Sequence, residues 1–104
     1  MNRRAEYHPL AREDIRQAVK WYDSQLDGLS GRFLAELKFA ESRIITDPEL
    51  WPRYEGDTRR YLMSRFPFFI IYLILEQVIV IIAVAHFKRK PGYWRDRFEP
   101  LKDR

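Results

Sequence analysis

Phe66-Pro67-Phe68-Phe69-Ile70-Ile71-Tyr72-Leu73-Ile74-Leu75, then Glu76-Gln77, then Val78-Ile79-Val80-Ile81-Ile82-Ala83-Val84-Ala85 is the stretch whose reading decides the fold. As one helix, this nearly unbroken apolar run is about long enough to cross a bilayer. Glu76 and Gln77 would then sit at mid-membrane, where a charged side chain costs roughly 2.5–3.5 kcal/mol. As two strands, the same polar pair becomes a turn. Each half is dense in Ile, Val, Phe and Tyr, the composition of a buried strand. The stretch therefore reads as a tight β-hairpin, with no membrane span. Both strands are apolar on alternate and intervening positions alike, so both faces need a cover. One face meets the rest of the fold; the other calls for the tail, the loop at Trp51, or another protein.

Downstream, the hairpin runs without pause into His86-Phe87-Lys88-Arg89-Lys90-Pro91-Gly92-Tyr93-Trp94-Arg95-Asp96-Arg97. The net charge of +4 is concentrated there: residues 1–85 hold 12 Lys/Arg and 12 Asp/Glu, residues 86–104 hold 7 and 3. A basic patch confined to one end attracts nucleic acid or another acidic surface.

Upstream, Ala5-Glu6-Tyr7-His8 reads as a first strand closed by Pro9, which cannot donate to a ladder. Ala11, Ile15, Ala18, Val19, Tyr22 and Leu26 then share one helical stripe. Arg12, Glu13, Arg16, Lys20 and Asp23 cover the opposite side, with Asp14 and Trp21 nearer its flank. Asp27-Gly28 breaks this helix, Gly28 being free to turn left-handed and Asp27 a candidate N-cap. A second helix runs from about Leu29 to Thr46, burying Leu29, Phe33, Leu37, Ala40 and Ile44, and Asp47-Pro48 ends it. Leu34 and Ile45 fall off that stripe, where they either widen the core face or wait for a partner. Pro48 to Asp57 is a loop by composition, pinned by Trp51 and Tyr54, and Arg59 to Arg65 is a strand. The order is β-α-α-β-β-β: an α+β domain spanning 1–104, with a helical hairpin on one face of a mainly antiparallel sheet.

A chain of 104 residues can bury one core without staples, and it has no cysteine for disulfide or thiol chemistry. The start, Met1-Asn2-Arg3-Arg4-Ala5-Glu6, is charged and lacks an apolar signal segment, so a cytoplasmic protein is expected. Nothing in the pattern resembles a metal site, a phosphate-binding loop or a nucleophilic triad, and no cofactor is expected.

Arg60, Phe66, Pro67, Phe68, Ile70 and Tyr72, followed by His86, Arg89, Pro91, Tyr93, Trp94 and Arg97, resemble the RelE/ParE toxin superfamily. The resemblance covers essentially the whole chain, and its specific part is the C-terminal motif. It implies the toxin of a type II toxin–antitoxin pair, held inactive by a cognate antitoxin. One branch of the superfamily cleaves ribosome-bound mRNA without a metal; the ParE-like branch is associated with poisoning DNA gyrase. The nuclease branch commonly carries an arginine inside the strand that here reads Phe68-Phe69-Ile70-Ile71-Tyr72-Leu73-Ile74-Leu75, and its absence favours ParE-like action.

A ribonuclease needs a base for the 2′-hydroxyl, an acid for the leaving oxygen and cations for the phosphate. His86, Arg89 and Tyr93 are the candidates for that alternative. The bland readings are a strand-end histidine bonded to backbone, a solvated charge run at Lys88-Arg89-Lys90, and aromatics serving as the lid of a sheet. For a binding toxin, the expected contact surface is Arg65, Lys88, Arg89, Lys90, Tyr93, Trp94 and Arg97. Trp21, Leu34 and Ile45 are the expected antitoxin contacts.

Overall fold

The computed structural model describes residues 3–98 and 100–101 of the chain. The elements run β1 (Arg4–Tyr7), α1 (Pro9–Gln25), α2 (Leu29–Thr46), β2 (Arg59–Leu62), β3 (Phe68–Leu75), β4 (Val78–His86) and a short helical turn, α3 (Arg95–Phe98). The hairpin forms as its composition demands. β3 and β4 pair antiparallel from Phe68↔His86 to Leu75↔Val78, and the turn at Glu76-Gln77 puts Glu76 in a left-handed conformation, φ 47°. The sheet order is β1-β4-β3-β2, antiparallel except that β1 lies parallel to β4. None of the described helices is long and apolar enough to cross a membrane.

Several boundaries differ from the sequence reading, each for a local reason. β1 ends at Tyr7, because His8 already serves the helix: its Nδ1 accepts the Leu10 N–H at 3.0 Å. Pro9 follows at the first helical position, where its missing N–H costs nothing. Gly28, at φ 86°, caps α2 in place of Asp27 and makes no side-chain capping bond. Leu26 lies exposed at the C-cap of α1, off the expected stripe. β2 stops at Leu62 instead of reaching Arg65. Met63 N–H returns to the Phe68 carbonyl at 3.0 Å and Arg65 turns left-handed, φ 70°.

Between helices and sheet lies the main core. Tyr22, Phe33, Phe66 and Phe68 form an aromatic cluster, with the Tyr22–Phe66 ring centroids 5.1 Å apart. The loop before β2 is pinned from this side: Trp51 stands edge-on to Tyr61, and the Tyr72 hydroxyl donates to the Pro48 carbonyl at 2.5 Å. Trp51 therefore belongs to the helix-side core and does not cover the second face. That face, centred on Ile71, Leu73, Val80, Ile82 and Ala83, is covered by the tail through Trp94 and Phe98, with Tyr54 and Tyr93 at its rim. Burying a side chain of this size contributes about 1.5–3 kcal/mol.

One irregularity positions everything that follows. Ile71 faces Ala83 and Tyr72 faces Ile81, so Ile82 is an extra residue, a β-bulge that re-aims the rest of β4. β1 pairs with β4 only as far as Ile81. Beyond that point the outer edge of β4 runs alongside α1, with no strand beside it among the described residues.

Candidate functional site

Two groups of side chains meet where β4 leaves the sheet. The first is buried. Asp14, on the sheet-facing side of α1, caps the open β4 edge by accepting the Val84 N–H at 3.0 Å. The same carboxylate accepts from both terminal nitrogens of Arg97, at 2.8 and 3.2 Å, and from the Tyr93 hydroxyl at 3.1 Å. Arg97 also donates to the Ile82 carbonyl at 3.0 Å, the acceptor freed by the bulge. Asp14 and Arg97 are 6% and 9% exposed at their side chains, so this ion pair is almost fully removed from water. It ties α1, the bulged edge of β4 and the tail together.

The second group is exposed. Phe87 N–H donates to the Pro67 carbonyl and the Phe87 ring stacks on Phe69 at 4.6 Å, fixing the start of the loop. Arg89 N–H returns to the His86 carbonyl and Tyr93 N–H to that of Lys90. Gly92, at φ 79°, makes the turn toward α3. On this frame Lys88, Arg89 and Lys90 point into solvent. The Arg89 guanidinium lies 3.8 Å from the Tyr93 ring centroid. Arg60 lies between Tyr54 and Phe69, 4.4 and 4.2 Å from their centroids. A cleft of about 170 Å³ separates these stacked arginines, lined among others by Ala85, Lys90 and Trp94. A guanidinium held over a ring face keeps N–H groups for an anion. Among the described residues, Arg60, Lys88, Arg89 and Lys90 form no ion pair.

Burial, then the Asp14 charge, push the Tyr93 phenol well above the ordinary range, and its hydroxyl is already spent on Asp14. His86 is held below its usual value by burial and then by Lys88, so it is neutral at pH 7. Its Nδ1 accepts the Lys88 N–H at 3.0 Å and its ring stands edge-on to Phe68. Of the ribonuclease candidates, Tyr93 has its hydroxyl engaged by Asp14 and His86 has its Nδ1 engaged by backbone, while Arg89 forms no ion pair among the described residues. Among the described residues no group of three or more His, Cys, Asp or Glu side chains could hold a metal ion.

The expected contact surface divides accordingly. Lys88, Arg89 and Lys90 come together in the exposed loop. Arg65 is exposed at the same end of the sheet, two residues before the Pro67 that anchors Phe87. Trp94, 2% exposed, and Arg97 are inside, holding the tail. Trp21 stands exposed on α1 and lines a groove between α1 and the end of β4; Leu34 is exposed and Ile45 half-buried on α2, and neither lines that groove. Asp14 and Arg60 were not picked out as site residues from sequence. The available signal for Asp14 was its place between Ala11 and Ala18 at helical spacing, a carboxylate on a buried stripe. For Arg60 the signal was its place at the head of the family-like motif, while its partners Tyr54 and Phe69 come from separate segments.

Comparison with known proteins adds two findings. The family model described as ParE toxin of type II toxin–antitoxin system, parDE, matches residues 5–91. A solved chain of the chromosomal ParDE TA system from P. aeruginosa shares the fold, with a TM-score of 0.73 at 12% identity, over 83% of this chain and 96% of that one. Among curated proteins no match is found.

Proposed function

This chain belongs to the ParE toxin family of type II toxin–antitoxin systems, and from that premise we propose that it is a cytoplasmic toxin that arrests growth by binding DNA gyrase and is neutralised by a cognate antitoxin. The observation that carries the reading is the 87–92 loop. Three cations without acidic partners among the described residues are mounted on a frame fixed by Phe87, Tyr93 and Gly92, beside a tyrosine whose hydroxyl is already engaged. Such a surface attracts a negatively charged target over distance and holds it by several small contributions. Arg60, Arg65 and the rim of the stacked cleft extend it. Trp94 and Arg97 serve the same surface indirectly, by holding the tail that carries it. The antitoxin reading is supported by the family and by the exposed apolar side chains Trp21, Leu26 and Leu34 along the helical hairpin.

The test is a supercoiling assay with purified gyrase. The chain should inhibit supercoiling, and the variant carrying Lys88→Gln, Arg89→Gln and Lys90→Gln should be at least tenfold weaker with an unchanged unfolding midpoint. Equal inhibition by that variant would move the contact away from the loop. Growth arrest without any effect on gyrase would remove gyrase as the target.

A further inference from the structure

We infer that the toxic surface grips an acidic protein segment of gyrase, and that the end of the sheet at Leu62, Phe69 and Phe87 is where it does so. One apolar side chain of the segment lies on this patch, and one carboxylate enters the adjoining cleft between Arg60 and Arg89. The inference rests on the reading of this chain as a gyrase-binding toxin, and it names the chemistry of the contact.

The patch follows from the register of the sheet. Leu62 lies opposite Phe69 and Phe69 opposite Ala85, so the three share one face in a row across β2, β3 and β4. Further along, the same face is covered by the tail through Trp94 and Phe98. This end of it stays open: Leu62 is 58% exposed, and Phe87, stacked on Phe69, is 48% exposed. Single exposed apolar residues are ordinary. Here three are contiguous and each is held in place, Leu62 and Phe69 by strand pairing and Phe87 by its N–H on the Pro67 carbonyl. Side chains fixed in advance lose little freedom when a partner covers them.

Beside the patch stands a place for an anion. Arg60, two residues before Leu62 on the same face, is held over Phe69 and Tyr54, and Arg89 over Tyr93. Phe69 and Phe87 line the cleft between the two arginines, which joins it to the patch. Its volume, about 170 Å³, is below the roughly 300–1,000 Å³ of pockets for small molecules, and it suits the head of one side chain. Neither arginine has an ion pair among the described residues, and a carboxylate bonds strongly to such a fork of donors. A DNA phosphate would satisfy the arginines, but it would lay a charged, hydrated strand over Leu62 and Phe87. An aspartate or glutamate next to an apolar side chain satisfies both halves of the site. Aromatic and arginine anchors with a polar rim are the composition of a protein–protein contact, and Lys88 and Lys90 supply that rim.

The test measures binding of the full chain to purified gyrase with no DNA present. The wild type should bind, and Leu62→Ser, Phe87→Ser and Arg60→Gln should each weaken binding at least tenfold. Phe39→Ser, a comparably exposed aromatic on α2 away from the patch, should leave affinity unchanged. Leu62 lies outside the 87–92 loop, so Leu62→Ser carries the test if Phe87→Ser lowers the unfolding midpoint. Binding that requires DNA, or that Leu62→Ser and Phe87→Ser leave at wild-type strength, would overturn the inference with gyrase still the target; the first result would install a DNA phosphate contact. No binding to gyrase with or without DNA would overturn the gyrase reading, and this inference with it.

Discussion

Replacing Asp14 by Asn removes one charge and almost no volume from the point where α1, β4 and the tail are joined. In the wild type that carboxylate satisfies Val84 N–H, the Tyr93 hydroxyl and both terminal nitrogens of Arg97. The amide supplies one acceptor oxygen for these donors and turns an NH₂ toward the others. Arg97, 9% exposed, is left with a buried charge and no counter-charge. Breaking a buried pair in this way typically costs about 3–5 kcal/mol, against about 0–1 kcal/mol for a surface pair. A domain of this size holds about 5–15 kcal/mol in total, so the loss is a large share of it. Urea unfolding followed by tryptophan fluorescence is a suitable assay, since Trp94 lies under the same tail. The midpoint should fall by at least about 1 M, taking a slope of about 1–3 kcal/mol per M. The double change Asp14→Leu with Arg97→Met should recover only part of this. It removes the unpaired charge but leaves Val84 N–H, Ile82 C=O and the Tyr93 hydroxyl unsatisfied, at about 1–3 kcal/mol each where they stay buried. A midpoint shift in Asp14→Asn of the size seen for a surface pair would refute the claim that this network holds the tail.

Gly56 sits at φ +58° with space for a Cβ only 3.0 Å from the Phe98 ring, so Gly56→Ala should destabilise the chain by roughly 1–2 kcal/mol from left-handed strain alone, read as a lower thermal midpoint; an unchanged midpoint would contradict the left-handed conformation of this turn. His8 and His86 are both held below their ordinary values, chiefly by burial. The unfolded chain therefore binds protons first as pH falls, and stability should drop from about pH 6.5 downward. His86→Gln should flatten that slope in pH-resolved urea titrations, and a slope unaltered by His86→Gln and a matching His8 variant would contradict the assignment. His86→Gln and Tyr93→Phe should retain most growth arrest in an induction assay, since neither removes a cation from the 88–90 loop; loss of arrest in properly folded variants would restore a proton-transfer role.

The hairpin was legible because Ile, Val, Phe and Tyr cannot be placed otherwise around Glu76-Gln77, and the helix stripes because Phe33, Leu37, Ala40 and Ile44 recur at one spacing. The family was legible for the same reason: the motif from His86 to Arg97 is contiguous. What escaped was long-range. Asp14 and Arg97 are far apart in sequence, and their pairing depends on a bulge at Ile82 that has no glycine or proline to announce it. A buried Arg97 therefore looked like part of a basic surface. Trp94, next to exposed cations in sequence, is likewise turned inward by a sheet face that only the folded tail can cover. The separation of Lys88-Arg89-Lys90 from Trp94 and Arg97 is tertiary information, carried by Phe87 on Phe69 and by Gly92.

The central claim is that a fixed basic loop acts by contact on gyrase. Inducing the chain in bacteria, with DNA breaks and transcript integrity followed in the same culture, tests it most directly. The account predicts DNA breaks or blocked supercoiling with whole transcripts on translating ribosomes, abolished by Lys88→Gln, Arg89→Gln and Lys90→Gln together. Ribosome-dependent transcript cleavage by the wild type, lost in His86→Gln or Tyr93→Phe, would contradict it.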